Sequence, residues 1–405
     1  MSRFEARLSL FASAMALACQ ATHADVITDW NVTALAATEP LSPQAEYRVL
    51  AMTHVAMFDA VNAITRSHTP FIVQPPAPPE SSMEAAAASA AHGVLLGLFP
   101  ARKAALDSAL SATLAKTAGA AARDAGSAIG REVAEKVLAA RSGDGADRKP
   151  DYTPQSGVGK WQPAPPHNLP FATVIWADVK PWVLRSGSEV QAPGPLALDS
   201  AQYAREIDEV RRLGARDSKE RSADQTAAAI FSLIKPGTLW ASAARAAADA
   251  KGTSVIENAR TFALMNVAAA DATITGWTIK RQYPLWRPVA AIRQSAKDAD
   301  PTWESLLNTP PHPDYVSGHC INSGAQAQVL RTAFSGEGVP FTAIYGSAGS
   351  GMTRSFSGFT QAEKEIGNAR VWAGIHTRTA DEHGETVGHK VAELVMQRAM
   401  LPLGK

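Results

Sequence analysis

The chain reads Lys-Arg-Gln-Tyr-Pro-Leu-Trp-Arg-Pro at residues 280–288, Ser-Gly-His at 317–319 and Arg-Val-Trp-Ala-Gly-Ile-His at 370–376. These segments supply one lysine, two arginines, one serine and two histidines, namely Lys280, Arg287, Ser317, His319, Arg370 and His376. Three clustered cations are costly to bury unless an anion compensates them. If the segments converge, they predict a site for a tetrahedral oxyanion such as phosphate or its analogue vanadate.

Lys280 and Arg287 lie seven positions apart, with Pro284 between them. On a regular helix this spacing would place them within about 20° of one face. Because proline disfavours an unbroken helix, the pattern indicates an irregular turn that brings the two charged heads closer. Arginine offers a planar fork for an oxyanion, and lysine a compact charge. Alone, the pair is more typical of solvated surface cations.

The Ser317-Gly318-His319 tripeptide follows a proline-rich loop and precedes a helical pattern. This position predicts that Ser317 caps the N-terminus of a helix. The backbone N–H groups of Gly318 and His319 would then point outward and favour an anion. As an isolated tripeptide, the sequence is more typical of an ordinary cap.

Arg370 and His376 are six positions apart, which on a straight helix leaves them about 120° from one another around the axis. A bend at Gly374 and the length of the arginine side chain would allow both to face inward. A neutral histidine can act as a nucleophile towards phosphorus or as an axial ligand to a metal oxyanion. Taken alone, His376 is more typical of a packed or surface histidine.

The segments together form the pattern Lys-x6-Arg-Pro, Ser-Gly-His and Arg-x5-His. This pattern resembles the signature of the vanadium-dependent haloperoxidase and type 2 phosphatidic acid phosphatase superfamily. The flanks resemble its haloperoxidase branch: Trp286-Arg287-Pro288, His312-Pro313-Asp314-Tyr315 and Trp372-Ala373-Gly374-Ile375-His376. Residues 30–60, with Trp30-Asn31 and His54 to Ala60, resemble secreted bacterial members of that branch. The resemblance therefore covers nearly all of the chain after residue 24.

The resemblance implies an all-α fold of packed helical bundles and vanadate as the cofactor, or phosphate in the same site. It assigns Lys280, Arg287 and Arg370 to the equatorial oxygens of that oxyanion. In the peroxidases Lys280 would also polarise bound peroxide.

The remaining site residues receive roles by the same resemblance. Ser317 matches a hydrogen-bonding hydroxyl, and Gly318 a backbone N–H donor. His319 matches the general acid–base histidine. His376 matches the axial vanadate ligand, or the phosphohistidine nucleophile in the phosphatases. Trp286 stands where haloperoxidases keep an aromatic residue beside the site.

Three positions depart from the family pattern. Val316 replaces the proline usual before Ser-Gly-His, and Ala369 replaces the serine usual before the arginine. The family aspartate four residues after the ligand histidine is replaced by Ala380, and Asp381 comes one position late. A histidine without a carboxylate partner is less firmly oriented, so the sequence leaves open whether Asp381 or Glu382 orients His376.

Composition limits the classes of partner. The 405 residues carry 39 basic and 38 acidic side chains, a net charge of +1, and 46% are hydrophobic. This balance argues against a general nucleic-acid or anionic-membrane binder and permits a substantial core.

The first 24 residues have the pattern of an export signal. Arg3 and Arg7 precede an apolar run from Leu8 to Cys19, and Thr22-His23-Ala24 fits a cleavage site. We therefore expect a periplasmic or secreted protein in which Cys320 is the remaining cysteine and no disulfide forms within the chain. No later segment has the roughly 18 consecutive apolar residues of a membrane span.

Helical periodicity covers most of the rest. It runs over residues 43–65, 82–141 (with a break at Pro100), 200–213, 217–234, 242–283, 321–334 and 360–400. Residues 142–200 are rich in proline and glycine and predict a long irregular crossing segment, pinned to the helices by Trp161, Trp176 and Trp182. We expect one domain over residues 25–405, with a catalytic core at about 200–400.

Three functions stay open. The first is a vanadate-dependent haloperoxidase, which oxidises halide or a small organic substrate with hydrogen peroxide at a histidine-ligated vanadate. The second is a vanadate-free acid phosphatase that cleaves phosphate esters through a phosphohistidine intermediate. The third is a non-catalytic helical binding protein. The haloperoxidase-like flanks favour the first, while halide preference, natural substrate and oligomeric state are not encoded in these motifs.

Overall fold

A computed structural model describes residues 25–346 and 351–404. Thirteen α-helices occur in this part of the chain, which confirms the predicted all-α class. The helices are α1 (Val26–Thr38), α2 (Pro43–Thr65), α3 (Met83–Leu98), α4 (Lys103–Lys116), α5 (Ala120–Arg141), α6 (Ala201–Leu213), α7 (Ala223–Phe231), α8 (Pro236–Lys251), α9 (Val255–Gln282), α10 (Pro288–Arg293), α11 (Gly318–Ala333), α12 (Phe359–Trp372) and α13 (Arg378–Arg398). The predicted export signal at residues 1–24 lies outside the described residues.

Serine caps start several of these helices. The Oγ atoms of Ser82, Ser200 and Ser222 accept hydrogen bonds from backbone N–H groups three residues later at 3.0–3.1 Å. Such a cap satisfies one of the N–H groups that the first helical turn leaves without a partner. Pro43 and Pro236 occupy the first helical position, where the missing N–H costs nothing.

Helix α9 forms the centre of the fold. Its residues from Thr261 to Trp277 are almost all buried, and it packs against α2, α11 and α13. A helix that is apolar on every side belongs in the interior. Its C-terminal turn carries Lys280, so the most buried helix of the protein positions one of the predicted site cations.

Breaks between helices position the remaining site residues. Helix α9 ends at Gln282, and Arg287 then caps α10, so the helix is interrupted near Pro284 as predicted. Ser317 occupies the N-cap position of α11, as predicted, but its hydroxyl accepts no capping hydrogen bond. Helix α12 carries Arg370, and Gly374, at φ +78°, turns the chain so that His376 precedes α13.

Three predicted helical runs differ in detail. The run over 360–400 is two helices, α12 and α13, separated by residues 373–377. The run over 242–283 is two helices, because Gly252, at φ +61°, ends α8 in a left-handed conformation that glycine adopts readily. The run over 217–234 is shorter and contains only α7 (Ala223–Phe231). One antiparallel hairpin, β1 (Phe341–Tyr345) with β2 (Met352–Phe356), was not predicted, and it is the only sheet in the described residues.

The crossing segment at 142–200 is irregular, apart from a 3-10 helix at Val174–Asp178. Trp161 and Trp176 are buried against Ile274 and Trp277 of α9, and Trp182 lies over the Arg141 guanidinium at 4.1 Å. Asp271 of α9 accepts three backbone N–H bonds from residues 182–184 at 2.7–3.0 Å. The segment is therefore fastened to the core. No helix in residues 25–346 and 351–404 is long and apolar enough to cross a bilayer.

Candidate active site

The predicted site residues converge at one end of α9, around a cavity of about 320 Å³. His319, Arg370 and His376 line this cavity together with Gly318. Lys280, Arg287 and Ser317 do not line it, but they are buried beside residues that do. The structure thus brings together segments that are nearly 100 positions apart in the sequence.

The three cations are held by neutral groups. Lys280 Nζ donates to the Pro313 carbonyl at 2.7 Å, and Arg287 donates through Nε to the His312 carbonyl and through Nη1 to the Ile375 carbonyl, both at 2.6 Å. No carboxylate in the described residues forms an ion pair with Lys280, Arg287 or Arg370. Their charge is therefore available to an anion.

Arg370 is held at the other side of the cavity. Its Nη1 donates to both the carbonyl and the hydroxyl of Ser232 at 3.0 Å. Burial lowers the pKa of Arg287 to about 9 and that of Arg370 to about 10. Burial, followed by repulsion from Arg287, also holds the pKa of Lys280 well below its usual range. A bound anion would relieve this penalty, because opposite charge favours the charged form of each cation.

His376 is almost completely buried and neutral. Burial, followed by the charges of Arg287 and Lys280, holds its pKa well below the usual value. Its Nδ1 lies 2.7 Å from Oδ1 of Asp314, and Arg287 Nη1 lies 3.1 Å from its Nε2. A neutral imidazole can use a ring nitrogen to attack phosphorus or to ligate a metal oxyanion.

His319 and Gly318 begin α11 at the cavity wall. The half-buried His319 ring has a lowered pKa, first because of burial and then because of the Arg370 charge. The helix N-terminus directs free N–H groups towards an anion. His319 is thus placed to exchange a proton with a molecule in the cavity.

Several buried donors around the cavity have no hydrogen-bond partner. They include the Ser317 hydroxyl, the Nε–H group of Arg370 and the indole N–H of Trp277. Buried polar groups in folded proteins are nearly always paired, so an unpaired donor calls for an explanation. Donors of this type, alongside three cations, match the oxygens of phosphate or vanadate and do not match a bare metal cation.

Two carboxyl groups lie nearest to these cations. Burial raises the pKa of Asp314 to about 6 and that of Asp381 to about 8. Asp381 accepts a hydrogen bond from the Cys320 thiol at 3.2 Å and is not bonded to His376, so it does not replace the missing carboxylate at Ala380. Glu382 is exposed and does not contact His376 either.

The aromatic wall of the cavity comes from Trp277. Its ring lies 5.3 Å from that of His312, and Lys280 Nζ lies 5.9 Å from its centroid. Trp286 is not among the cavity-lining residues, and its indole N–H donates to the Tyr203 hydroxyl at 2.6 Å. Trp277 stands three residues before Lys280, a helical spacing that places both on one face.

Part of the cavity wall is apolar. Its lining includes several prolines, one tyrosine and the half-exposed Leu233: Pro43, Tyr47, Leu233, Pro236, Pro310 and Pro311. The charged groups lie at one side of the same space, with His312, His319, Arg370 and His376. The cavity therefore combines charged and polar groups with an apolar wall.

Sequence reasoning missed Asp314, His312 and Trp277 as site residues. Asp314 and His312 belong to the segment just before Ser317. Since Ala380 offers no carboxylate to His376, a carboxylate this close to Ser-Gly-His could have been considered as its replacement. Trp277 was detectable from its spacing to Lys280. Only the fold shows which groups they contact.

A second cluster of metal-ligand types lies elsewhere. Glu363, Glu385 and His389 each place one ligand atom within 4.8 Å of the others. Arg331 pairs with Glu363 in this cluster, so a guanidinium already supplies the positive charge there. The cluster does not need a metal ion to balance its charge.

Parts of this chain resemble known proteins. A sequence profile of the VCPO second helical-bundle domain matches residues 260–404. A vanadium chloroperoxidase from Curvularia inaequalis is 38% identical over 90 residues, which cover 19% of this chain and 15% of that protein. The chain thus matches only a small part of this curated relative.

Solved structures share most of the fold. The structure described as the first bacterial vanadium-dependent iodoperoxidase superposes with a TM-score of 0.81 at 26% identity, over 94% of this chain and 97% of that one. An apo-type bacterial vanadium-dependent chloroperoxidase gives a TM-score of 0.73 at 19% identity, over 88% and 94% of the two chains. The second likeness concerns the fold alone.

Proposed function

We propose that this chain, which belongs to the vanadium-dependent haloperoxidase and type 2 phosphatidic acid phosphatase superfamily, is a vanadate-dependent haloperoxidase-like enzyme. The observation that carries the proposal is the set of three buried cations without a carboxylate partner, arranged around a neutral histidine. The unpaired donors of Ser317 and Arg370 support an oxyanion in the same place.

The residues fit vanadate as the cofactor. His376 Nε2 would hold the metal, and Lys280, Arg287 and Arg370 would balance the charge of its oxygens. Ser317 and the N–H of Gly318 would donate hydrogen bonds to them. When bound, vanadate supplies a Lewis acid that activates hydrogen peroxide for oxidation of a second substrate.

His319 moves the proton in this scheme. Its lowered pKa keeps the ring neutral, so that it accepts a proton from incoming hydrogen peroxide. Lys280 and the other cations remain fixed by backbone carbonyls, which limits reorganisation during the reaction. The burial of Trp277 against these groups keeps water away from one side.

The oxidised substrate is a halide or a small organic molecule. The apolar wall formed by Leu233 and neighbouring prolines supports a compact organic acceptor beside the charged and polar groups. A cavity of about 320 Å³ is far larger than peroxide and one halide ion require.

A vanadate-free acid phosphatase is the second candidate. The donors that fit vanadate also fit phosphate, and neutral His376 is buried among cations where a phosphoryl group would bind. His376 would then attack phosphorus, and His319 would protonate the leaving group.

One purification decides between the two activities. The protein is prepared with and without vanadate, its vanadium content is measured by mass spectrometry, and halide-plus-peroxide turnover is assayed beside phosphate-ester hydrolysis. We expect one vanadium per chain and peroxidase turnover that depends on it. Hydrolysis without vanadium uptake would establish the phosphatase instead. A protein that shows neither activity would contradict both proposals.

Two histidine variants separate the roles. His376→Ala should lose stoichiometric vanadium and turnover together. His319→Ala should retain vanadium but turn over about 10²–10⁴-fold more slowly, the usual contribution of a general acid–base group. The exposed His167 provides a matched control, since His167→Ala should change neither quantity. Equal vanadium loss in both site variants would contradict this division.

Two further expectations stay proposals. We propose that residues 1–24 direct export to the periplasm or medium, and mass spectrometry of exported protein should find a chain that begins near Asp25. A single domain over 25–405 predicts one cooperative unfolding transition.

A further inference from the structure

Asp314 lies in the loop between α10 and α11, three positions before Ser317, and is fully buried. Both of its carboxylate oxygens are engaged. Oδ1 lies 2.7 Å from Nδ1 of His376, and Oδ2 accepts the Thr377 hydroxyl at 2.7 Å. Two bonds to consecutive residues prevent the carboxylate from rotating.

The backbone of Asp314 is fixed as well. Its N–H donates to the Leu285 carbonyl at 3.0 Å, and its own carbonyl accepts Lys280 Nζ at 3.3 Å. One residue thus joins the loop before Ser317 to the Lys280–Arg287 segment and to His376. A group held at four points can define the direction of the ring it contacts.

We propose that Asp314 is the positioning residue for His376, and that it takes over the role that the family pattern gives to an aspartate at position 380. The carboxylate comes from the loop before Ser-Gly-His rather than from the helix that follows the histidine. Ala380 carries no carboxylate, and Asp381 faces Cys320 instead. The use that His376 makes of this orientation rests on the proposed function.

The Asp314 carboxylate sets the tautomer of the His376 ring. An ionised carboxylate only accepts, so Nδ1 of His376 must donate to Asp314. A guanidinium only donates, and Arg287 Nη1 lies 3.1 Å from Nε2 and 3.5 Å from Nδ1, so Nε2 is the nearer acceptor. The proton therefore sits on Nδ1, and the lone pair of Nε2 points towards the cations. This is the atom that would bond to vanadium or phosphorus.

The first test reads the ring without vanadate. Nitrogen-15 NMR of vanadate-free protein with isotope-labelled histidine should show His376 protonated on Nδ1 and unprotonated on Nε2. In Asp314→Asn the amide can donate as well as accept, so the spectrum should shift towards the Nε2–H form or a mixture of both. A wild-type ring protonated on Nε2, or an unchanged ring in Asp314→Asn, would overturn the proposal.

The second test measures vanadate affinity by calorimetry. Loss of such an orienting partner typically weakens a metal site about 10–100-fold, and we expect this loss for Asp314→Asn. Inorganic phosphate needs no bond to nitrogen, so its affinity should fall by only about threefold or less. Asp381→Asn is the matched control and should lose less vanadate affinity than Asp314→Asn. An equal or larger loss in Asp381→Asn would assign the role to Asp381.

Thr377→Val covers the case in which Asp314→Asn does not fold. It keeps the charge of Asp314 but frees Oδ2, so we expect a smaller loss of vanadate affinity, about threefold to tenfold. No loss in this variant would count against a carboxylate fixed by two bonds. The ring spectrum of the wild type decides the role of Asp314 even if no vanadium binds, so failure of the proposed function can be told from failure of this proposal.

Discussion

Gly388 of α13 lies against Ile321 of α11 so closely that a Cβ at position 388 would overlap the Ile321 carbonyl oxygen. Gly384, one turn earlier, would place a Cβ 3.0 Å from the Ser317 carbonyl oxygen. These contacts join the helix that begins at Ser-Gly-His to the helix that follows His376. The two histidines are therefore held in place by backbone-to-backbone packing.

Gly388→Ala should destabilise the fold, because neither backbone can move without displacing a helix. Overpacking of this kind costs about 1–3 kcal/mol, and we expect the upper end here. Urea unfolding followed by circular dichroism measures the change, and phosphate affinity should fall with it because α11 shifts.

Gly367→Ala is the matched control. A Cβ at this position of α12 meets only the Cys320 sulfur, at 3.9 Å. Alanine favours helix over glycine by about 1 kcal/mol, so this variant should be neutral or more stable. Similar destabilisation in both variants would refute the packing argument.

Asp271→Asn should loosen the crossing segment at 142–200. The carboxylate accepts three backbone N–H groups, and an amide oxygen replaces only part of that capacity. Leaving buried donors unpaired costs about 1–3 kcal/mol, which urea unfolding should detect, and limited proteolysis should cut within the segment faster.

Asp178→Asn tests the same segment at an exposed ion pair. Asp178 bonds to Arg281 at 2.7 Å, and both side chains are about one third exposed. Exposed pairs contribute about 0–1 kcal/mol, so stability and proteolysis should hardly change. A loss of stability as large as that of Asp271→Asn would show that the buried Asp271 contributes no more than an exposed ion pair.

Stability should depend on pH through Asp381. In the unfolded chain this group ionises near its ordinary pKa of 3.8, whereas burial raises the pKa to about 8 in the fold. Between these values the folded state keeps a proton that the unfolded state has lost. The stabilisation is complete below pH 3.8 and is lost as the pH rises through 8.

Asp381→Asn should remove this part of the pH dependence. The free energy of unfolding of vanadate-free wild type should fall, relative to the variant, as the pH rises from 4 to 8, by at most about 1.4 kcal/mol per pH unit. The exposed Asp151→Asn should follow the wild-type curve. Parallel curves for wild type and Asp381→Asn would contradict the raised pKa.

Leu233→Gln should weaken binding of an apolar organic acceptor at the apolar wall of the cavity. The side chain is 45% exposed, so it offers about half of its apolar surface, worth about 1 kcal/mol or a fivefold rise in KM for that acceptor. The KM for halide should stay unchanged. Leu198→Gln, at an equally exposed leucine outside the cavity, is the control. An equal rise in KM for the organic acceptor and for halide would contradict binding of the acceptor at this wall.

Local sequence patterns account for much of this structure. The helix expected at 43–65 coincides with α2, and that at 200–213 differs from α6 by one residue, because serine caps and proline starts mark their ends. The hairpin at 341–356 was missed, since strands of five residues offer too little alternation. The break at Gly252 was also missed, although the capping box of Ser254 and Glu257 follows it.

The site was predictable where a motif carries chemistry and unpredictable where partners come from elsewhere in the chain. The cations, Ser-Gly-His and His376 stand in recognisable spacing. The carboxylate beside His376 lies 62 positions away, and such a pairing exists only after folding. Burial likewise decides that Trp277 rather than Trp286 faces the cavity.

The way the crossing segment is anchored has a consequence for substrate access to the cavity. Ala172 and Thr173 form part of the cavity wall, and the Ala172 N–H donates to the carbonyl of Pro311, another residue of the wall, at 2.8 Å. Asp271 anchors the same segment about ten residues further on, so this wall has a fixed shape. Turnover should therefore fall as an acceptor series outgrows the space of about 320 Å³.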